Sequence, residues 1–271
     1  MISFDKREIL LALSFKHKGN WDKIYADLED KVAPTDEEIV DAKMKLTSNY
    51  VTFFDDEYPD YLKMQGVFRP PLVLYYYGNI SLLNSKNRVA CVGSRYPKLY
   101  QLDKTYELVL EACKTLNGNM TVVSGMAVGI DRASMLAAIY GGGNVIAVLG
   151  GGIDYIYPTI SENIYEFCKN SKRGLVISEY PINTSPEPSN FVFRNRLIVE
   201  FSNLIFIGGA RSKSGTATTA SLALSRNKEI YALPCNADGD NLTNSLIKDG
   251  CGVILSVSDL VDAINDESKQ K

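Results

Sequence analysis

The chain has 271 residues, 45% apolar and 23% charged, with a net charge of −3. These are ordinary globular values, which exclude whole-chain disorder and a fibrous repeat, and the length suits one large α/β domain with a smaller unit beside it. The longest apolar run, about six residues at 72–77, falls far short of the roughly 18 that a membrane span needs, so no membrane association is expected.

Residues 1–20 place charges on both sides of a short apolar patch, unlike a secretory leader, and none is expected. Ile9, Leu10 and Leu13, then Trp21, Ile24, Tyr25 and Leu28, recur at helical spacing. Pro34-Thr35 followed by Asp36, Glu37 and Glu38 reads as a helix start with acids in its first turn. A small all-helical domain over residues 1–57 follows. Residues 1–60 hold 8 Lys or Arg against 14 Asp or Glu, so this region offers no basic face.

Residues 58–87 read as a connector punctuated by Pro59, Pro70 and Pro71, with a strand at 72–77. From Arg88 onward the pattern changes. Apolar, β-rich runs at 89–92, 121–123, 145–149, 175–178, 204–207 and 230–233 alternate with helical stretches around 102–116, 130–140, 162–168, 195–201, 217–225 and 244–248. Continuous apolar strands alternating with helices imply a parallel sheet covered on both faces. The expected fold is α/β: a Rossmann-like, doubly wound, mostly parallel sheet over residues 88–271, preceded by the helical domain. Residues 262–271 are polar and expected to fray.

Five cysteines, Cys91, Cys113, Cys168, Cys235 and Cys251, are scattered and never in CxxC spacing. That argues against a disulfide framework or a zinc site and for buried, reduced thiols in a cytoplasmic protein. His17 is the one histidine. Ser–His–Asp or Cys–His catalysis in the main domain would have to borrow it from the N-terminal helices, and histidine-rich metal sites are excluded. No cofactor, metal ligand or catalytic residue is expected.

In open parallel sheets, ligands sit outside the carboxyl ends of the strands. The first strand of the main domain runs into Gly93-Ser94-Arg95, where glycine allows close backbone approach and arginine brings a permanent charge with a planar donor fork. The second runs into Ser124-Gly125-Met126-Ala127-Val128-Gly129-Ile130-Asp131, and the third into Gly150-Gly151-Gly152-Ile153-Asp154. The fifth runs into Gly208-Gly209-Ala210-Arg211-Ser212-Lys213-Ser214-Gly215-Thr216. Several such turns, with Arg95, Arg211 and Lys213 among them, point to a phosphate-bearing ligand. None matches GxGxxG or GxxxxGK[ST], which disfavours a dinucleotide dehydrogenase or a P-loop NTPase.

Phe191-Val192-Phe193-Arg194-Asn195-Arg196 puts two aromatics and two arginines in six residues. Aromatics stack bases and arginines neutralise phosphates. Equally, the rings suit a core and the arginines suit pairing with Glu179 or Glu200. Residues 188–228 hold six bases and one acid, Glu200. Asp131, Asp154 and Glu179 end or follow strands and read as caps or arginine partners rather than catalytic acids.

The order of these motifs resembles the DNA-processing protein A family (DprA, also called Smf). The matching residues are Tyr58-Pro59, Leu62, Pro71-Leu72-Val73-Leu74-Tyr75 and Gly78, then Gly93-Ser94-Arg95, Ser124-Gly125-Met126-Ala127 and Gly129-Ile130-Asp131. They continue through Gly150, Asp154 and Tyr157-Pro158, Ser178-Glu179-Tyr180-Pro181, Phe191 with Arg194-Asn195-Arg196, Ser214-Gly215-Thr216 with Thr219-Ala220, and Asn244-Ser245-Leu246-Ile247 with Gly250. The resemblance implies an extended Rossmann-like domain that binds single-stranded DNA. It also implies a role in natural transformation, protecting incoming strands and loading the RecA recombinase onto them, as a homodimer without firm catalytic activity. The DNA- or phosphate-binding set expected here is Gly93, Ser94 and Arg95; Gly125 and Met126; Phe191, Arg194, Asn195 and Arg196; and Lys213, Ser214 and Gly215. An Arg194→Ala change is expected to flatten the salt dependence of binding by about one phosphate.

The chain departs from the family pattern at Pro188, where several relatives carry a basic residue, and at Val192, where proline is usual. Cys235 and Leu242 each replace a common glycine, so the loop after the last main strand is expected to differ. No C-terminal winged helix of the kind many relatives add is expected, and the N-terminal helices match the family's sterile-alpha-motif-like domain in kind only. Two other readings compete: an enzyme like the nucleoside-monophosphate phosphoribohydrolases, which share a glycine-rich turn such as Gly208–Thr216, and a nucleotide-sensing module without activity. The hydrolases need a glutamate just after that turn, where this chain has Thr218, Thr219, Ala220 and Ser221.

Overall fold

Thr35 starts a helix as its side chain dictates. Its Oγ1 accepts from the Glu38 N–H at 3.2 Å while Glu38 Oε2 accepts from the Thr35 N–H at 2.8 Å, a reciprocal cap. Asp5 and Glu8 form the same reciprocal cap at the first helix, two helices earlier. The computed structural model describes residues 5–63, 70–236 and 241–269. Its N-terminal helices are α1 (Lys6–Lys16), α2 (Trp21–Glu29) and α3 (Asp36–Lys45). They are followed by β1 (Asn49–Thr52), the single turn α4 (Asp60–Lys63) and β2 (Val73–Gly78). The alternating part then runs β3 (Arg88–Gly93), α5 (Leu99–Thr115), β4 (Thr121–Ser124), α6 (Ile130–Tyr140), β5 (Asn144–Val148), α7 (Glu162–Asn170), β6 (Gly174–Ser178), α8 (Pro188–Glu200), β7 (Leu204–Gly209), α9 (Gly215–Ser225) and β8 (Glu229–Ala232). It closes with α10 (Leu242–Lys248), β9 (Gly252–Val253) and α11 (Val257–Lys269).

The described strands form one sheet in the order β1-β2-β6-β5-β4-β3-β7-β8-β9. From β6 to β9 all neighbours are parallel, and β2 is antiparallel to both β1 and β6. Successive side chains point to opposite faces, and both faces are dry. Val89, Cys91, Val122, Val145 and Phe206 pack with α5, α6, α7 and α11, whereas Ala90, Val92, Val123, Ile146 and Ile205 pack with α8, α9 and α10. The doubly wound, mostly parallel sheet expected from the sequence is the fold observed.

Three elements differ from expectation. β1 lies inside the segment 1–57 expected to be all helical, and pairs Tyr50 with Tyr75 at the edge of the sheet. Four residues are too few to display a period, so pairing with β2 decides their conformation. Residues 262–269, expected to fray, continue α11: Leu260, Ala263 and Ile264 are buried, with Val257 and Val261 packed beside them, completing an apolar stripe against α5. α8 begins at Pro188 instead of Asn195, with proline at its first position, where a missing N–H costs nothing. In the loop after β8, residues 237–240 lie outside the described residues. Cys235 is held there by Asn244, whose Oδ1 accepts its N–H at 3.0 Å.

The N-terminal helices share the core of the sheet. Leu10, Leu11, Ile39 and Ala42 join the cluster containing Val73 and Tyr75, and the Tyr75 hydroxyl donates to Ser14 Oγ at 2.9 Å. Cys91, Cys113 and Cys168 are buried, and Cys235 and Cys251 are half-buried. Burial pushes the Cys113 and Cys168 thiols up to about 12, so little thiolate exists at neutral pH. In the native protein, a thiol reagent is expected to modify Cys235 and Cys251 quickly and the other three only after denaturant is added. Counting released thiolate before and after unfolding checks this.

Candidate functional site

The chain leaves β3 towards β4, β5 and β6, and returns to β3's other side at β7. At such a reversal two loops part, and the crevice between them is the natural ligand site of a doubly wound sheet. A cavity of about 470 Å³ opens there. Its lining comes from the turn after β3 (Gly93, Ser94, Arg95, Tyr96), the first half of α8 (Pro188, Phe191, Val192, Arg194, Asn195) and the turn into α9 (Arg211, Lys213, Ser214, Gly215, Thr216), with Asp131 and Tyr157.

Local chemistry explains why the turn after β3 holds Arg95 out. The register shifts between Val92 and Gly93, and the Ser94 N–H donates to the Gly209 carbonyl at 2.7 Å, locking this turn to the end of β7. Ser94 Oγ accepts from the Tyr96 N–H at 3.0 Å, closing a short hydroxyl turn around Arg95, which is exposed. Gly129 packs underneath. Its φ is +83°, and an added Cβ would lie 2.3 Å from the Ser94 carbonyl oxygen and 2.9 Å from Arg95 backbone atoms. Gly129→Ala therefore combines a backbone strain of roughly 1–3 kcal/mol with a clash against backbone. It is expected to lower the melting temperature and displace Arg95, weakening any anion bound there. A melt and a binding titration on the same sample check both effects.

At α9 the Ser214 hydroxyl caps the helix, accepting from the Ala217 N–H at 3.3 Å. Nothing lies within 4 Å of a Cβ built on Gly215. Arg211 and Lys213 are exposed beside this helix N-terminus, a ready anion site.

Below these three exposed cations lies a buried layer. Arg194 is 4% exposed, and its Nη1 donates to the Val148 carbonyl. The guanidinium rests on Gly125, where a Cβ would come within 2.4 Å of it. The Gly125 N–H in turn donates to Asp131 Oδ2 at 3.2 Å. Burial pushes the Asp131 carboxyl up, against the pull of the Arg194 charge. Burial also brings the Arg194 guanidinium down to about 10, opposed by Asp131. Asp131 is the one acid among the described lining residues.

Nine of the twelve expected site residues line the cavity; Gly125, Met126 and Arg196 do not. Met126 is fully buried with φ +60°, and its carbonyl accepts from Ser161 Oγ at 2.9 Å. Gly125 is thus the bed on which Arg194 lies, and Met126 is a core residue beside it. Arg196 is buried on another side of α8, its Nη2 donating to Glu179 Oε2 and its guanidinium 4.1 Å from the Phe193 ring centroid. Two residues apart on a helix, Arg194 and Arg196 cannot share one face. Arg196 takes the pairing with Glu179 that was the alternative for it, while Glu200 pairs with Arg226. Arg194 lines the cavity from below with its charge engaged by the Val148 carbonyl and by Asp131, so its removal is now expected to act on stability more than on the salt slope. Tyr96, Tyr157 and Arg211 line the cavity without having been in the expected set. Arg211 and Tyr96 had a sequence signal, since each lies next to or near an expected cation; Tyr157 had none beyond its place in a motif.

A sequence profile described as DNA recombination-mediator protein A matches residues 49–265. Protein Smf of Synechocystis is 34% identical over 218 residues, covering 78% of this chain and 54% of that protein, so the match spans about half of that relative's length. DNA processing protein A of Streptococcus pneumoniae shares the fold with a TM-score of 0.72 at 24% identity, covering 94% of this chain and 92% of the other. DNA processing protein A of Helicobacter pylori, whose structure is described for its single-stranded DNA binding mode, aligns with a TM-score of 0.70 at 28% identity, covering 81% of this chain and 97% of the other. The profile runs from β1 into α11 and takes in every segment that lines the cavity, and the chain belongs to the DNA recombination-mediator protein A family.

Proposed function

We propose that this protein binds single-stranded DNA in the cavity between the β3 and β7 turns. In this reading it acts as a cytoplasmic recombination mediator that protects incoming strands and helps load RecA onto them, as a homodimer. The observation that carries the reading is the cavity's character: Arg95, Arg211 and Lys213 are exposed around it, aromatic rings line it, and the one acid among its described lining residues is buried and already engaged. Cations beside aromatic faces are what a strand with unpaired bases requires. The binding mode described for the Helicobacter pylori relative supports the same reading.

No chemical step is proposed. A phosphoribohydrolase needs a carboxylate at the start of the helix after the glycine-rich turn, and α9 offers Thr218, Thr219, Ala220 and Ser221 there.

The test is fluorescence anisotropy of a labelled ~20–40-nucleotide single strand against the matching duplex at two salt concentrations. Tight, salt-sensitive binding that prefers the single strand is expected. Sedimentation of the same sample reports the dimer, and RecA nucleation on the pre-bound strand reports loading. Failure of a folded sample to bind either form, with release of free base from a nucleoside monophosphate, would replace the reading by the enzymatic one.

A further inference from the structure

Helix α8 has two engaged faces. Phe191, Arg194 and Asn195, spaced three and four residues apart, line the cavity. Phe193 and Arg196, also three apart, lie on another side and meet the N-terminal helices and the end of β6. There the Trp21 ring of α2 stands 5.6 Å from the Phe193 ring, centroid to centroid, with planes inclined at 64°. The Arg196 guanidinium covers Phe193 and its Nη2 donates to Glu179 Oε2. The turn between α1 and α2 rests on the same place. A Cβ added to Gly19 would lie 2.8 Å from the Glu179 carbonyl oxygen and 2.9 Å from the Tyr180 ring. Neither Trp21 nor Phe193 is among the described residues that line the cavity.

This seam is closed but not saturated. Glu179 is 5% exposed, and its Oε1 accepts no hydrogen bond among the described residues. A narrow gap lies beside it, bounded by Gly19, Trp21, Tyr25 and Pro71. A buried ion pair with an acceptor left over holds its surroundings less firmly than a fully bonded one. The contact between Trp21 and Phe193 is therefore one that α8 can tighten or loosen. A helix in a close-packed interior passes a displacement of one face on to the other.

We propose that Trp21 is a positioning residue for strand binding: through Phe193 the N-terminal helices hold α8 where its cavity face meets the strand. This rests on the single-strand reading above. Coupling between two places is reciprocal. If docking of Trp21 raises strand affinity, a bound strand tightens that docking in return. Whatever draws the N-terminal helices off α8 then loosens the strand.

Trp21 is the one tryptophan of the chain, so its emission reports the seam without any substitution. The test titrates a labelled ~20-nucleotide oligothymidylate into the protein and follows strand anisotropy and Trp21 emission together. Emission is expected to change and to saturate at the midpoint given by anisotropy. In Phe193→Leu the emission change should be lost while anisotropy still reports binding. Trp21→Ala should weaken binding roughly fivefold, at the low end of ordinary coupling between sites. Its salt slope should be unchanged, because no charge has been removed. Trp21→Phe, which keeps a ring against Phe193, should bind nearly as the unsubstituted protein does.

Anisotropy that saturates while emission stays still would overturn the proposal and leave the single-strand reading standing. So would an emission change that persists in Phe193→Leu, since the signal would then not pass through α8. Equal or tighter binding by a folded Trp21→Ala would overturn it as well, and an alanine variant that fails to fold leaves the emission comparison to decide. Absence of strand binding by the folded, unsubstituted protein would remove the single-strand reading and this proposal with it.

Discussion

Replacing Arg95 and Lys213 together by alanine is expected to weaken single-strand binding about a hundredfold, roughly tenfold for each charge-assisted phosphate contact. The salt slope should fall by about 1.4, at ~0.7 per phosphate of a single strand. Both side chains are exposed and line the cavity, so their removal should leave the fold intact. Their places do not overlap: Arg95 is held by the Ser94 turn after β3, and Lys213 sits before the capped N-terminus of α9. The two losses should accordingly be close to additive. Arg95 also lies near enough to Arg194 for its charge to disfavour the protonated guanidinium below it. An anion settling over Arg95 relieves that repulsion, which adds to the attraction. Lys104 of α5, paired with Glu107 at 2.9 Å and outside the cavity, serves as the control. Its alanine variant should bind as the unsubstituted protein does, and anisotropy titrations across salt concentrations measure every quantity. Unchanged affinity and slope in a folded double variant would remove the β3–β7 cavity from DNA binding.

Arg194→Ala is expected to act on stability instead. Its guanidinium is buried, bonded to the Val148 carbonyl and electrostatically opposed to the buried Asp131. Removing it leaves the Asp131 carboxylate without its countercharge, at a cost of about 3 kcal/mol and a fall in melting temperature of roughly 6–12 °C for a chain of this size. The pH dependence follows from Asp131, whose carboxyl is pushed above its ordinary 3.8 by burial and pulled back by Arg194. Without Arg194 it rises further. A carboxyl raised in the folded state stabilises fully below its unfolded value, and that stabilisation is lost as pH climbs through the folded value. The deficit of Arg194→Ala against the unsubstituted protein should therefore be smallest below about pH 4 and widen as the pH rises. Thermal melts across pH check this. The double variant Arg194→Ala with Asp131→Asn, which removes the stranded charge, should recover part of the loss at neutral pH and show little of the pH trend. A deficit that is constant with pH would mean that Arg194 acts through packing alone.

The strands from β2 to β8 were legible because each is a short apolar run bounded by glycine or proline, and burial on both faces demands such a run whatever the neighbours are. Helix starts at Thr35 and Asp36 were legible because a cap is a local bond between residues three apart. The positions of Arg95 and Lys213 were legible for a similar reason: a cation in a turn after a parallel strand has one end of the sheet to go to. β1 and the end of α11 were not, since the first owes its shape to β2 and the second to α5, both distant in sequence.

The sequence by itself determined the doubly wound sheet, the end of it where the candidate cavity opens, and the glycine turns that bring cations there, because these depend on residue type and local period. Only the tertiary structure decided the fates of the two arginines of α8. Helix 188–200 starts seven residues earlier than its periodicity suggests, so Arg194 and Arg196 face different surroundings, one over Gly125 and Asp131, the other against Glu179 and Phe193. Whether a charged side chain is a ligand contact or a buried brace depends on what packs against it in space, and that is set by segments far away in the chain. The same holds for Tyr157, which becomes part of the cavity only because Phe191, 34 residues on, lies against it.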